Sequence, residues 1–133
     1  MAGSRQGGVQ GTDRVLMVRP ACFGFNPDAA ATNLLQQRPA DAAARVHERA
    51  LAEFAALRAA LEGEGVRVCV VDDTPQPAKP DAVFPNNWVS FHADGTVVLY
   101  PLQPESRRPE RREDVIAQAC RELGYEERRR VDL

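Results

Sequence analysis

The chain has 133 residues, of which 44% are hydrophobic and 27% charged, a composition typical of a globular domain rather than of a disordered or collagen-like chain. Its formal net charge of -2 creates no overall field that would draw it onto nucleic acid. The longest apolar runs, residues 15–18 and 97–100, are far shorter than the roughly 20 residues that a membrane-spanning helix needs. We therefore expect no nucleic acid and no membrane as partner, and the absence of a signal-like apolar core in residues 1–11 predicts a cytoplasmic location.

The first half of the chain predicts a disordered leader at residues 1–13, then a strand, a long loop and a helix within one folded unit at residues 14–133. The strand covers residues 14–19 and the loop residues 20–38, a length that often belongs to a binding site. The helix is expected to start near residues 39–41, where Asp41 can cap the first turn, and to end before Gly65. Its apolar face repeats at spacings of three and four residues: Val46, Ala50, Phe54, Leu57 and Leu61.

The second half predicts a strand at residues 66–71, continuous enough to be central in a sheet, and a proline-rich loop at 72–85. Two strands, 87–92 and 96–101, should form a hairpin around Asp94-Gly95. An arginine-rich loop then leads to a second helix, which ends at Gly124 and is followed by an extended segment. The inward side chains of this helix are expected to be Val115, Ile116, Ala119, Cys120 and Leu123.

The order of these elements predicts an α/β or α+β fold in which most elements need further partners. The chain stops where a strand would continue, so we expect it to be the N-terminal portion of a longer domain.

Three cysteines, Cys22, Cys69 and Cys120, are widely spaced and contain no Cys-x-x-Cys pair, and the histidines are His47 and His92. This pattern supports neither a disulfide framework nor a zinc site, so we expect no metal and no cofactor. Cys69 and Cys120 are expected to pack as small hydrophobic side chains, and His47 to be structural or solvated.

Residues 79–88 are the segment richest in chemistry, because polar and aromatic side chains alternate there on a proline-stiffened loop. Asp81 could accept charge-assisted hydrogen bonds from a planar guanidino or ureido group, with Asn86 and Asn87 adding amide groups and Phe84 or Trp88 a flat wall. The alternative is a loop in which Asp81 and the asparagines cap nearby backbone groups.

Four arginines between residues 107 and 112 allow three interpretations. They could close on a ligand carboxylate, bind phosphate or nucleic acid, or form a solvated helix start paired with neighbouring glutamates. Residues 128–130 are better explained as a charged surface run.

Several of these segments occur together in a recognisable order: residues 17–20, residues 23–26 with Asn33, residues 80–92, Tyr100-Pro101 and residues 107–112. Together they resemble the amidinotransferase family, and most closely the citrulline-utilisation hydrolases within the superfamily of arginine deiminases and dimethylarginine dimethylaminohydrolases. The resemblance runs from about residue 14 to the end of the chain.

The resemblance implies a pentein-type α/β propeller of ββαβ repeats, of which this chain would form about two of five units. It implies that Asp81 holds the substrate nitrogens, that Phe84 forms a wall and that Arg107 grips the substrate carboxylate. Where hydrolase relatives carry an acidic pair, Asn86 and Asn87 stand here, which favours a neutral ureido group such as that of citrulline.

The family's nucleophilic cysteine and general acid–base histidine have no counterpart in these 133 residues. We therefore expect the substrate-binding half of a hydrolase, inactive alone because a covalent mechanism needs both groups. Association with a missing C-terminal half, or through exposed strand edges, is expected. A non-catalytic small-molecule or protein-binding module is the alternative, and nucleic-acid binding through the arginines ranks last.

Overall fold

The computed structural model describes residues 11–24 and 40–133, and the backbone alone for residues 40 and 41. The predicted mixed α/β class is confirmed, since these ranges hold five strands and two α-helices. In chain order they are β1 (Arg14–Arg19), α1 (Ala40–Gly63), β2 (Arg67–Asp72), β3 (Val89–Phe91), β4 (Thr96–Leu99), α2 (Glu113–Leu123) and β5 (Arg129–Asp132). Neither helix is long and apolar enough to cross a membrane. Most of the predicted leader, most of the loop at 20–38 and the Asp41 cap lie outside the described residues.

The first sheet pairs β1 and β2 in parallel, with Arg14 opposite Arg67 and Arg19 opposite Asp72, as expected for two strands connected through a helix. The prediction that β2 is central differs from the structure, because in the described residues β2 pairs only with β1. On its other side the amide of Gln118 donates to the carbonyl of Val70 at 3.1 Å. A side chain of α2 thus replaces a neighbouring strand there.

The second sheet has the order β3-β4-β5, with an antiparallel hairpin followed by a parallel strand that returns through α2. The hairpin turns at Asp94-Gly95 as predicted, and Gly95 adopts a φ of 88°, which glycine accommodates most easily. The first hairpin strand is shorter than predicted, because Pro85–Asn87 form a single turn of 3-10 helix before Val89. Residues 89–132 therefore have the order ββαβ.

The hydrophobic core lies between the sheets and α2, whose four buried side chains Val115, Ile116, Ala119 and Leu123 match the predicted face. Cys120, also predicted to point inward, is only half-buried. The helix ends at Gly124 in a left-handed conformation.

Two arginines from the first sheet cap the end of α2. The Arg14 guanidinium donates to the carbonyl of Leu123 at 2.7 Å, and that of Arg67 to the carbonyl of Glu122 at 2.8 Å. The last carbonyls of a helix have no intrahelical donors and carry partial negative charge, so cations are favourable there. These contacts bind the first sheet to the helix of the second.

The apolar stripe of α1 is only partly buried. Phe54 is 6% exposed, with the Arg19 guanidinium 5.9 Å from its ring centroid, but Leu57 is 54% exposed, which corrects its predicted place in the core. Leu57 lies instead beside an apolar groove between α1 and β1.

Replacing Phe54 by alanine should lower the free energy of unfolding by about 3 kcal/mol, because it leaves a cavity in the contact between α1 and the sheet. Replacing Leu57 by alanine should change it by less than about 0.5 kcal/mol. Urea unfolding followed by the fluorescence of Trp88, the only tryptophan, measures both values. Equal losses in the two variants would contradict the observed exposure of Leu57.

Candidate functional site

Asp81 is carried by a series of tight turns between the end of β2 and the start of β3. The amide of Ala82 donates to the carbonyl of Lys79 at 3.1 Å, and the amide of Phe84 to the carbonyl of Asp81 at 3.1 Å. The segment is anchored at its far end by Trp88, which is only 2% exposed. Trp88 is therefore part of the core, and its proposed use as a ligand wall is wrong.

Arg107 is the centre of the charged cluster that these turns create. Its Nε donates to Glu110 Oε1 at 3.0 Å, and its Nη2 donates to Glu110 Oε2 at 2.9 Å and to Asn87 Oδ1 at 3.0 Å. The same Nε lies 3.7 Å from Asp81 Oδ2. Arg107 is thus brought together with Asp81 and Asn87, which lie 26 and 20 positions earlier in the sequence, and Glu110 is added to them.

The Arg107–Glu110 pair is shielded from water, because the side chain of Glu110 is 1% exposed and that of Arg107 is 18% exposed. Burial raises the pKa of Glu110 above its usual value, although the hydrogen bonds and charge of Arg107 act in the opposite direction. The hydrogen bonds to Glu110 raise the pKa of Arg107, so its guanidinium remains charged. The site therefore presents a fixed cation between two carboxylates.

This geometry limits how Arg107 can bind a ligand. The Nε–Nη2 edge, which normally grips carboxylates in two-point fashion, is bound to Glu110. Both Nε and Nη2 donate to described residues, so a ligand carboxylate could bind this edge only by displacing Glu110. Its role as a carboxylate binder stays a prediction.

The four neighbouring arginines do not act as one patch. Only Arg107 joins the site, whereas Arg108 is 59% exposed in its side chain and pairs with an even more exposed glutamate. The ion pairs of the others are Arg108 with Glu105, Arg111 with Asp132, and Arg112 with both Asp114 and Asp73. The predicted pairing of a helix start with neighbouring glutamates is found for Arg107 with Glu110 and for Arg108 with Glu105, but only the second pair is solvated.

Phe84 and Asn86, the other two predicted site residues, lie along the apolar groove between β1, α1 and β3. The groove has a volume of about 590 Å³, and Phe84 is 45% exposed in it. Among the described contacts, the Arg107 cluster includes Asn87 but not Asn86. Asn87 thus contacts the Arg107 cluster, whereas Asn86 lines the apolar groove. Their adjacency in sequence did not indicate this difference.

Three residues of this region escaped the sequence analysis as site residues: Asp73, Lys79 and Glu110. Each is a charged residue of which less than one tenth is exposed. Glu110 could have been recognised by its spacing of three from Arg107, which suits a helical ion pair. Lys79 stood out only as the single lysine of the chain.

None of the three cysteines contacts this cluster among the described residues. The Cys69 thiol donates to Glu122 Oε2 at 2.8 Å, and burial, together with that hydrogen bond, raises its pKa to about 12. Burial also raises the pKa of Cys120, and Cys22 lies 3.8 Å from the carbonyl of Pro75. These environments disfavour a thiolate in Cys69 and Cys120.

The histidines are also engaged elsewhere. Nδ1 of His47 accepts a hydrogen bond from the amide of Phe23 at 3.1 Å, and Nε2 of His92 lies 2.9 Å from Ser90 Oγ. The first contact connects α1 to the segment after β1, a structural role as expected for His47.

Comparison with known families supplies independent information on this region. The model of the family described as N,N dimethylarginine dimethylhydrolase, eukaryotic, matches residues 19–133. The matched range includes Asp81, Asn87, Arg107 and Glu110. No curated protein and no solved structure matches the chain significantly.

Replacing Glu110 by alanine should lower the free energy of unfolding by about 3 kcal/mol, because it leaves the shielded Arg107 cation without its main partner. Replacing the exposed Glu105 by alanine should cost less than about 0.5 kcal/mol. Urea unfolding of both variants provides the comparison. A loss for Glu110→Ala no larger than that for Glu105→Ala would show that the pair is solvated.

Cys69 should react with iodoacetamide about a thousandfold more slowly at pH 8 in the folded protein than in urea, because a rise of its pKa from 9.0 to about 12 removes almost all thiolate at that pH. Peptide mass mapping of the alkylated protein measures the rate for each thiol separately. Folded-state labelling of Cys69 as fast as in urea would contradict the burial of this thiol.

Proposed function

The chain belongs to the N,N dimethylarginine dimethylhydrolase family, and from this premise we propose that it forms the substrate-binding part of a hydrolase acting on the ureido or guanidino group of an arginine-like amino acid. The observation that carries the proposal is the convergence of Asp81, Asn87 and Arg107, with 3.0 Å and 3.7 Å between the contacting atoms. These groups offer an acceptor for substrate nitrogens and a cation for the substrate carboxylate.

The orientation of Asn87 favours a ureido over a guanidino group. Arg107 has only donors, so the amide of Asn87 must turn its oxygen toward the guanidinium, which is the orientation seen. Its NH₂ group is then the end left for a ligand, and a donor needs an acceptor such as the ureido oxygen. A guanidinium has no acceptor, so citrulline fits this position better than a methylated arginine.

Asp81 complements that selection from the other side of the ligand. Its carboxylate accepts the N–H groups that ureido and guanidino ligands share, so it contributes affinity for both classes. Arg107 Nη1 would donate to the ligand's α-carboxylate, while Glu110 holds the guanidinium in place. Phe84 would contribute an apolar wall from the neighbouring groove.

We further propose that the 133-residue chain binds this ligand without turning it over. The family resemblance implies hydrolysis by attack of a cysteine thiolate, with proton transfer by a histidine. Among the described residues, no cysteine contacts the Asp81–Arg107 cluster. We also propose that residues 89–132 form one repeat unit of a propeller, in which further units would complete the site. Their ββαβ order supports this proposal.

Isothermal titration with L-citrulline and with N,N-dimethylarginine tests this function. The unaltered chain should bind citrulline more tightly, and Asp81→Ala and Arg107→Ala should each weaken binding at least about tenfold, the loss of one charge-assisted contact. Asn87→Asp should shift the preference toward N,N-dimethylarginine, because a carboxylate presents an acceptor to the ligand in place of the donor.

Arg108→Ala is the matched control for this titration, since it removes an exposed arginine from the 3-10 helix Glu105–Glu110, which also carries Arg107, and should leave both affinities unchanged. Citrulline binding that is unaffected by Asp81→Ala would overturn the assignment.

A non-catalytic binding module is the second candidate, and the apolar groove is the observation that favours it. Phe84 and Leu57 are 45% and 54% exposed there, and large exposed apolar side chains on one surface are typical of interaction sites. Failure of citrulline and N,N-dimethylarginine to bind the unaltered chain would leave this candidate in place.

A further inference from the structure

A second charged cluster, formed by Asp73 and Lys79, lies in the loop that precedes Asp81 and is almost completely buried. The side chains of Asp73 and Lys79 are each 1% exposed, and Lys79 Nζ lies 3.2 Å from Asp73 Oδ1. Neither oxygen of Asp73 accepts a hydrogen bond from the described residues, so its charge is balanced by nearby cations rather than by directional bonds. Burying such a pair costs several kcal/mol per ion and adds little net stability.

The ammonium group of Lys79 holds the loop between β2 and Asp81 together. It donates to the carbonyl of Thr74 at 2.9 Å, to the hydroxyl of Thr74 at 3.0 Å and to the carbonyl of Pro77 at 2.8 Å. These contacts fix both the beginning and the middle of the loop to its last residues.

The two residues of this cluster are attached to different parts of the fold, Asp73 to the first sheet and Lys79 to the turn that carries Asp81. Asp73 is anchored to the first sheet because its amide donates to the carbonyl of Arg19 at 2.9 Å. Lys79 stands two residues before Asp81, and its carbonyl accepts from the amide of Ala82 in the turn that carries Asp81. Lys79 is therefore part of the same turn as Asp81.

Arg112 extends the cluster to the segment that carries Arg107. Its Nη1 lies 3.7 Å from Asp73 Oδ1 and donates to the carbonyl of Asp72 at 3.3 Å. Arg112 follows Glu110 by two residues, so Asp73 is in contact with the segment that carries the Arg107–Glu110 pair.

We propose that Asp73 and Lys79 are positioning residues: their buried ion pair fixes the loop so that Asp81 faces Arg107 at the distance a ureido ligand requires. The identity of the ligand depends on the function proposed above, whereas the positioning of Asp81 does not. The pair acts through the backbone of residues 79–84 and contacts neither the ligand nor Arg107.

Hydrogen exchange at the amides of Ala82 and Phe84, together with citrulline titration, tests the proposal. In Lys79→Met these two amides should exchange at least tenfold faster, and citrulline affinity should fall at least tenfold. Val71→Ala is the control, because it removes a buried side chain from β2 without touching the loop. It should lower global stability while leaving both amides protected against local exchange and the affinity unchanged.

The double variant Asp73→Asn with Lys79→Met separates positioning from general stabilisation, because it leaves no uncompensated buried charge in the pair. Its midpoint in urea should recover toward that of the unaltered chain, yet the two amides should stay fast and the affinity low. If Lys79→Met does not fold, this double variant alone carries the test.

Recovery of amide protection together with stability in the double variant would overturn the proposal, as would unchanged protection in Lys79→Met. If the unaltered chain binds neither citrulline nor N,N-dimethylarginine, the proposed function fails, and the exchange rates still decide whether Lys79 positions Asp81.

Discussion

The bidentate contact between Arg107 and Glu110 is the interaction on which the candidate site depends. A guanidinium shielded from water needs a partner of opposite charge, and Glu110 supplies both of its oxygens to one edge of it. That contact fixes the guanidinium that binds the side-chain oxygen of Asn87 and balances the negative charge of Asp81. The ligand selectivity proposed for the site is therefore a consequence of one internal ion pair.

Two further ion pairs, an outer and an inner one, lie near the Arg107–Glu110 pair. The outer pair, Asp81 with Arg107, is partly open to solvent, whereas the inner pair, Asp73 with Lys79, is closed to it. Electrostatic interactions strengthen as water is excluded, so the attraction within the inner pair is screened less by solvent than that within the outer pair. This arrangement explains why the most deeply buried charges of the region are not those that the ligand would meet.

Local patterns predicted most of the elements from the sequence. The apolar period of α2 identified its four buried residues, and Asp94-Gly95 located the hairpin because few other residues adopt the backbone that such a turn requires. Asp81, Asn87 and Arg107 were recognised from their chemistry and from family resemblance. What the sequence did not show is that the Arg107–Glu110 pair is shielded from water, that Asn86 turns toward a different surface, and that Leu57 stays exposed. Each of these depends on how separate elements pack together rather than on a local pattern.

The capping of α2 by Arg14 and Arg67 has a consequence for the order of events during synthesis. Arg14 meets a carbonyl 109 positions later, so the first strand completes this contact only after residue 123 has left the ribosome. At roughly 5–20 residues per second this interval is on the order of ten seconds. Contacts of such long sequence separation slow folding, because the entropy of closing the chain must be lost before they form. During that interval the helix-capping contact of Arg14 is absent, so the first sheet is not yet attached to α2 at this point.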